Sequence, residues 1–341
     1  MKKRLGAVTA LIVCWAGPAF AAEPAPVTLA GAGSTFIYPM LSRWTREYRK
    51  THPAVQISYD PVGSGRGISR VLAGNVDFGA SDGPLSDAQI AHAERRVLHV
   101  PVVLGAVVPA YNLPVVGQDL RFTPAALAGI FLGKITRWND PELVRANPGT
   151  PMPARPITVV FRTDGSGTTY VWTDYLSRVD EAWKKQVGFG TTVRFPVGEG
   201  AQFNEGVRDV IKSTPYTIGY LQSSYAVEGH VRYGLVENVS GRFVKADAAS
   251  ITAAATAAIG AMPADFRISI ANAAGADAYP VSSFSWFLVP VSMADASKRA
   301  GTLEFLKWAL TDGQKLAAPM NYAPVPEAVA SRVIAALSQI H

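Results

Sequence analysis

Residues 162–170, with the sequence RTDGSGTTY, place one permanent positive charge beside a turn of glycine and hydroxyl residues. The Arg162 guanidinium offers a planar fork of hydrogen-bond donors that matches a tetrahedral oxyanion. Asp164, two residues away, is interpreted as the group that orients this guanidinium. Neutral donors come from three hydroxyl side chains, Ser166, Thr168 and Thr169. The segment therefore predicts one wall of an anion-binding site.

Two earlier turns have the same composition. GAGSTF (31–36) and VGSGRG (62–67) each follow an apolar segment and precede a helix pattern, and they contribute the hydroxyls of Ser34, Thr35 and Ser64. For any one turn, the simpler interpretation is that the hydroxyl caps the helix. The same geometry also presents unpaired N–H donors to an anion, and such turns cluster at the carboxyl ends of strands in an open α/β sheet. Three turns and one arginine together favour the anion site.

Asp82 ends a further apolar segment, VDFGASD (76–82), and is the unusual member of this set. A carboxylate beside a bound anion is repulsive unless the ligand carries a proton that it can donate. Phosphate carries such a proton near neutral pH, whereas sulfate does not. Asp82 therefore indicates phosphate as the anion. The alternative interpretation, a strand-end residue that caps a turn, remains open at this stage.

Catalytic patterns are incomplete in this sequence. GSGRG is only a fragment of a dinucleotide fingerprint, and GIFLGKIT (129–136) has the lysine of a P-loop without its spacing or its hydroxyl. Ser166 lacks the G-x-S-x-G context of a nucleophile elbow. The five histidines show no metal-ligand spacing, and the only cysteine is Cys14. We therefore expect a binding protein rather than an enzyme, with no metal and no cofactor.

The elements around these turns alternate between strand and helix. Strand, glycine-hydroxyl turn and helix recur three times, which predicts an α/β fold with a largely parallel sheet. One helix is predicted after the first turn from an apolar face made by Phe36, Ile37, Met40, Leu41, Trp44 and Tyr48. Another helix is predicted after the third turn from Trp172, Leu176, Val179 and Trp183. Each helix would begin beside the candidate site.

The N-terminus has the layout of a secretory signal peptide over residues 1–21. Three basic residues precede an apolar run, and Ala19-Phe20-Ala21 forms a small-x-small cleavage site. Val13 before Cys14 is not small, so we expect cleavage near Ala21 rather than lipidation of the cysteine. Removal of three of the 32 basic residues and none of the 26 acidic ones lowers the formal charge from +6 to +3. The mature chain is therefore expected to be soluble, without a transmembrane segment and without a nucleic-acid role.

Seven segments together carry a resemblance to a known family. They occur in order over roughly residues 28–326: GAGSTFIYP, VGSGRG, VDFGASDGPLSD, LGKITRWND, VVFRTDGSGTTYVWTDYL, PYTIGYLQSSYA and MNYAPVP. In this respect the chain resembles the periplasmic phosphate-binding protein of the high-affinity phosphate ABC transporter. The GSGT segment, with its preceding arginine and aspartate, is the most specific part of the match.

The resemblance implies a set of phosphate-binding residues at matching positions. The implied ligand contacts are Thr35, Phe36 through its backbone N–H, Ser64, Asp82 as acceptor of the ligand proton, Arg162, Ser166, Gly167 and Thr168. Asp164 and Ser34 would support them without touching the ligand. Two positions depart from the family pattern. Arg66 stands where a small or neutral residue is usual, and Phe161 replaces a polar residue before the binding arginine.

The resemblance also implies an architecture and a role. The family fold, a type II periplasmic binding protein, has two α/β lobes joined by two crossing strands, here near 100–105 and 279–283. Lobe I would comprise 22–104 with 281–341, and lobe II would comprise 105–280. We expect a monomeric periplasmic protein that closes around inorganic phosphate and delivers it to an inner-membrane ABC permease. The alternatives are a free-standing phosphate scavenger or sensor with the same fold and, less favoured, a phosphoryl-transfer enzyme.

Overall fold

The computed structural model describes residues 26–341, so the predicted signal peptide at 1–21 and Cys14 lie outside the described residues. The strands are β1 Val27–Gly33, β2 Val55–Asp60, β3 Phe78–Ser81, β4 Val97–Tyr111, β5 Arg121–Phe122, β6 Thr158–Arg162, β7 Glu199–Ala201, β8 Thr217–Gln222, β9 Arg232–Tyr233, β10 Leu235–Glu237, β11 Phe243–Val244 and β12 Ser282–Pro290. The α-helices are α1 Tyr38–Thr51, α2 Ser64–Leu72, α3 Asp87–Ala91, α4 Pro124–Phe131, α5 Pro141–Ala146, α6 Gly167–Val179, α7 Glu181–Gln186, α8 Phe203–Ser213, α9 Ser223–Glu228, α10 Ala248–Ala258, α11 Ala296–Leu310 and α12 Glu327–Ala336. Short 3₁₀ turns occupy Ile259–Ala261, Asp312–Leu316, Ala318–Met320 and Leu337–Gln339.

One long sheet organises the fold, in the order β2-β1-β3-β12-β4-β8-β6-β7, with β9 also paired to β4. Strands β1, β2 and β3 are parallel to one another, and so are β6, β7 and β8. Between these two groups lie β12 and β4, which pair antiparallel. The first part of β4 pairs with β12 up to Ala106, and its last part pairs with β8 from Val107 onward. Strand β4 therefore runs from one parallel group into the other, and the predicted α/β class is confirmed.

The parallel arrangement brings the polar turns to the carboxyl ends of their strands. Strand β1 ends at Gly33, β3 ends at Ser81 and β6 ends at Arg162. Gly33 pairs in register with Ala80, so the turns after β1 and β3 are neighbours in space. The turn after β6 belongs to the other strand group. Ligand sites of open α/β sheets form at such strand ends.

The apolar faces read from the sequence are buried. On α1, the side chains of Met40, Leu41, Trp44 and Tyr48 are buried against the sheet. The second predicted helix needs a correction, because the face that includes Trp172 and Trp183 is divided between α6 and α7. Asp180 ends α6 in an extended conformation, and its carboxylate accepts a hydrogen bond from Trp183 N at 2.7 Å. This aspartate caps α7 and so starts a new helix at the position where a continuous one was expected.

The elements outside the main sheet add a three-stranded sheet of β11, β10 and β5. No helix within residues 26–341 is both long enough and apolar enough to span a lipid bilayer.

Candidate anion-binding site

Asp82 lies fully buried just beyond β3, and three serine hydroxyls surround its carboxylate. Ser34 donates to Oδ2 at 2.5 Å, Ser64 donates to Oδ2 at 3.4 Å, and Ser285 donates to Oδ1 at 2.5 Å. No backbone N–H of the described residues donates to this carboxylate, so turn capping does not account for it. A carboxylate offers about four lone-pair positions, and the three serines leave one position for a further donor.

Burial sets the acid–base behaviour of Asp82. Loss of hydration raises the pKa of its carboxyl to about 6, and this rise is partly offset by the hydrogen bonds from Ser285 and Ser34 and by the charge of Arg162. Removal of a charge from water is the physical cause, because the ionised form loses the most hydration. The carboxylate is therefore ionised above pH 6 and held at a free-energy cost.

This cost predicts a pH dependence of stability in phosphate-free buffer. The folded pKa of Asp82, about 6, exceeds the ordinary value of 3.8, so the native state binds more protons than the unfolded state between these two values. The free energy of unfolding should then fall as the pH rises through this window, by on the order of 3 kcal/mol from this residue. Asp82→Asn should remove that part of the slope, which denaturant unfolding at a series of pH values would measure. If the free energy of unfolding changed with pH equally in the wild type and the variant, the raised pKa would not belong to Asp82.

Arg162 forms the positive side of the site. Its side chain is 1% exposed and makes a bidentate pair with Asp164, with Nε 2.7 Å from Oδ1 and Nη2 2.5 Å from Oδ2. The other edges of the fork donate to hydroxyls, from Nη1 to Thr168 at 3.2 Å and from Nη2 to Thr35 at 3.4 Å. The paired carboxylate fixes the plane of the guanidinium, which is the role expected of Asp164.

The N-terminus of α6 faces Asp82 across the site. Ser166 caps this helix, since its Oγ accepts from Thr169 N at 3.1 Å. A Cβ atom built on Gly167 would overlap Asp82 Oδ2 and Ser64 Oγ, so only a glycine allows this approach. The first N–H groups of a helix have no intrahelical partner. Unpaired donors from α6 therefore point toward the serine–aspartate cluster.

The hydroxyls of the first two turns do not cap the helices that follow them. The residue before α1 is Ile37, and it makes no side-chain cap; the residue before α2 is Gly63, which has no side chain. The hydroxyls of Ser34 and Ser64 donate to Asp82 instead. Of the three turns, only the third thus uses its hydroxyl to cap the helix, and the simpler interpretation fails for the other two.

Two of the expected donors already have partners in this structure. The N–H of Phe36 donates to Ser34 Oγ at 3.0 Å, so binding a ligand through this group requires an exchange or sharing of the hydrogen bond. The hydroxyl of Thr169 lies 2.7 Å from the hydroxyl of Tyr220, inside the core and away from the cluster. The implied contact of Phe36 therefore stays a prediction, and the Thr169 hydroxyl is better described as structural.

Two residues of the candidate site, Asn204 and Ser285, were not predicted from the sequence. Asn204, fully buried at the start of α8, places Nδ2 2.9 Å from Thr35 Oγ1. Ser285 lies on β12 where the register with β4 shifts, a distortion that redirects side chains. For Ser285 a signal was available, because Ser283 and Ser285 are polar residues in the buried strand SSFSWFLVP. Nothing local to Asn204 distinguishes it.

The structure shows the surroundings of Arg66 and Phe161, the two residues that depart from the family pattern. Arg66 is exposed. Phe161 stacks on Phe195 with 4.7 Å between ring centroids, so an apolar contact replaces the polar one.

A cavity of about 570 Å³ lies outside the cluster and is lined in part by Leu85, His99 and Arg267. Donors and charge converge at the Asp82–Arg162 site rather than at this cavity, and a small tetrahedral anion needs few, well-placed hydrogen bonds. Within residues 26–341, no group of three histidine, cysteine, aspartate or glutamate residues is arranged to hold a metal ion.

Comparisons with known proteins show which proteins this chain is similar to. Residues 20–313 match the family described as PBP superfamily domain. The chain is 39% identical over 310 residues to the phosphate-binding protein PstS of Xylella fastidiosa strain Temecula1, which covers 91% of this chain and 84% of the relative.

Solved structures show the same fold at lower identity. A high affinity periplasmic phosphate-binding protein, PfluDING, bound with phosphate, superimposes with a TM-score of 0.72 at 20% identity, covering 91% of this chain and 93% of that one. An ABC-type phosphate transport receptor from Vibrio cholerae superimposes with a TM-score of 0.55 at 17% identity, covering 87% of this chain and all 100% of that one. The fold is therefore the two-lobe fold of periplasmic binding proteins.

Proposed function

The chain belongs to the PBP superfamily and, within it, to the family of phosphate-binding proteins named PstS, and from this premise we propose that it captures inorganic phosphate between its two lobes for delivery to an ABC permease. The observation that carries the proposal is the pairing of opposite groups across one small site. Asp82 supplies a buried proton acceptor, whereas Arg162 and the N-terminus of α6 supply donors. A ligand that is an anion and still carries a proton satisfies both sides.

The proposed ligand contacts come from both strand groups. They are Thr35, Phe36 through its N–H, Ser64, Asp82, Arg162, Ser166, Gly167 and Thr168. Arg162 and the α6 donors bind the charged oxygens, and Asp82 accepts the ligand proton. Asp164 orients Arg162, and Ser34 and Ser285 hold the Asp82 carboxylate. Each group then has one task, and no residue is assigned as nucleophile or general base.

We further propose that the lobes are 22–104 with 281–341, and 105–280, and that the protein acts as a monomer in the periplasm. The long strand β4 would form one crossing and the segment leading into β12 the other. These boundaries place Thr35, Ser64 and Asp82 on lobe I and the Arg162 cluster on lobe II. A ligand bound by both sets of residues would hold the lobes together.

Titration calorimetry with phosphate tests the function directly. We expect one phosphate per chain and no hydrolysis of a chromogenic phosphoester under the same conditions. Absence of phosphate binding would refute the proposal, and hydrolysis would favour the phosphoryl-transfer alternative. Genes for transporter subunits next to this one would distinguish delivery to a permease from a free-standing scavenger or sensor.

Closure of the lobes gives a separate prediction. Glycines line the contact between the lobes: Gly65 N donates to Gly165 O at 2.8 Å, and a Cβ on Gly83 would lie 2.5 Å from Tyr170 Cγ. Gly83→Ala should therefore destabilise the closed state by about 1–3 kcal/mol, as overpacking does. Because phosphate would bind the closed state, its affinity should fall about tenfold without loss of any ligand contact.

Small-angle scattering and calorimetry would measure this effect. Phosphate should reduce the radius of gyration of the wild type and raise its melting temperature. Gly117→Ala is the matched control, since a Cβ there meets no atom within 4 Å. An unchanged radius in wild-type protein that binds phosphate would show that the site is preformed, and equal affinity in both glycine variants would show that the Gly83 contact does not limit closure.

A further inference from the structure

We infer that Asn204 sets the direction of the Thr35 hydroxyl so that this group donates its proton to the bound anion, an inference that rests on the proposed phosphate binding. The orientation of the Asn204 amide is fixed first. Its Oδ1 accepts from the backbone N–H of Gln222 at 3.1 Å, and a backbone N–H can only donate. The amide nitrogen must therefore occupy the other position, where it lies 2.9 Å from Thr35 Oγ1 and 3.3 Å from Thr168 Oγ1.

The hydroxyl oxygen of Thr35 then accepts two hydrogen bonds, so the hydroxyl can only donate to a third group. Asn204 Nδ2 donates to Oγ1 at 2.9 Å, and Arg162 Nη2 donates to it at 3.4 Å. Neither nitrogen can accept a hydrogen bond, so both lone pairs of the hydroxyl oxygen are taken. Thr35 is 2% exposed, and no described residue accepts its hydroxyl hydrogen. A buried donor without a partner is costly, and an oxygen of the anion is the acceptor that the geometry leaves.

The backbone at the first residue of α8 supports this placement of Asn204. Phe203 has φ of 62°, a left-handed conformation that is strained for a residue with a side chain. The same residue donates its N–H to Asp164 Oδ1 at 3.0 Å. Asp164 therefore holds both the guanidinium of Arg162 and the start of the helix that carries Asn204. One carboxylate positions both donors that act on Thr35.

The contact also couples hydroxyl orientation to closure. Thr35 follows β1, whereas Asn204 lies on α8, which packs against β6 and β8 of the other strand group. The Thr35 hydroxyl meets its two donors only when the two sides of the site are together. Asn204 is therefore a positioning residue that would prepare a ligand donor as the lobes close, without touching the ligand itself.

A double-mutant cycle tests this role by calorimetry with phosphate. Asn204→Ala should weaken binding about tenfold, because the hydroxyl loses a donor that directs it, an effect within the range found for contacting residues. In a Thr35→Val background, the same change should cost less than about twofold. Asn204→Asp keeps the acceptor for Gln222 N–H but turns the hydroxyl toward its second oxygen. In that background, Thr35→Val should also cost less than about twofold.

Asn238→Ala is the matched control for loss of a buried amide. Asn238 is 4% exposed and bonds only to backbone groups far from the site, for example to Ala276 O at 2.9 Å. Its removal should lower the melting temperature and leave phosphate affinity unchanged. If the wild type does not bind phosphate, the proposed function fails; if it binds and the effects of Asn204 and Thr35 add independently in both backgrounds, this inference alone is overturned.

Discussion

Arg162→Ala should weaken phosphate binding by roughly 10²–10⁴-fold, the largest loss expected from any single contact. Charge-assisted hydrogen bonds contribute about 1.5–3 kcal/mol each, and Nη1, whose two hydrogens are taken by neither Asp164 nor Thr35, provides up to two of them. The substitution also leaves the Asp164 carboxylate, 8% exposed, without its partner and close to a bound anion. Titration calorimetry at constant pH and ionic strength would measure the change in Kd.

The burial of this pair also alters what the substitution does to folding. Removal of one partner of a buried ion pair costs about 3–5 kcal/mol, because the other charge remains buried. Arg162→Ala should therefore lower the melting temperature as well as the affinity. The double variant Arg162→Gln with Asp164→Asn removes both charges and should recover much of the stability but little of the affinity.

Arg178→Ala provides the matched control. Arg178 pairs with the buried carboxylate of Asp174 at 2.9 Å, but its own side chain is 44% exposed and lies outside the site. Phosphate affinity should be the same in this variant and in the wild type. An Arg162→Ala protein that folds and binds phosphate with unchanged affinity would exclude Arg162 from the ligand contacts.

The site residues that could be predicted from the sequence are those whose flanking residues indicate their position in the fold. Ser64 and Ser166 stand in glycine turns after apolar strands, so local composition was enough to place each one beyond the carboxyl end of a parallel strand. Asp82 was found because a carboxylate in such a turn is unusual. These positions depend on strand order and direction, which recur whenever strand, turn and helix alternate.

The missed residues depend on contacts between distant parts of the chain. Ser285 reaches Asp82 from 203 positions away, at a shift in strand register that no local pattern specifies. Asn204 reaches Thr35 across 169 positions, from a helix that begins in a strained conformation. The break between α6 and α7 was missed for a different reason: helical spacing continues through Asp180, whose capping bond outweighs continuation of the helix.

Asp82→Asn should change selectivity between phosphate and sulfate more than it changes phosphate affinity. In the wild type, the ionised carboxylate accepts the ligand proton, whereas sulfate presents an oxygen without a hydrogen. A site with a buried group left unpaired can reject the wrong ligand by roughly 10⁴-fold. The asparagine amide removes the charge and can donate to sulfate, and the surrounding hydroxyls of Ser34 and Ser285 can rotate to accept or donate. Phosphate should weaken about tenfold while sulfate gains, so the affinity ratio should fall by roughly 10³.

The measurement is the ratio of the two dissociation constants, taken at one ionic strength and at a pH about two units above the value near 6 at which Asp82 titrates. Asp174→Asn is the matched control, because Asp174, like Asp82, is buried and accepts from a serine hydroxyl, yet it pairs with Arg178 and lies outside the site. Its ratio should equal that of the wild type. Two results would contradict this prediction: a ratio that Asp82→Asn leaves unchanged, or wild-type protein that binds sulfate as tightly as phosphate. Either would mean that the buried carboxylate does not distinguish a protonated anion from an unprotonated one. The free energy spent on keeping Asp82 ionised would then not contribute to selectivity between the two anions. The serines around its carboxylate would serve only the stability of the fold.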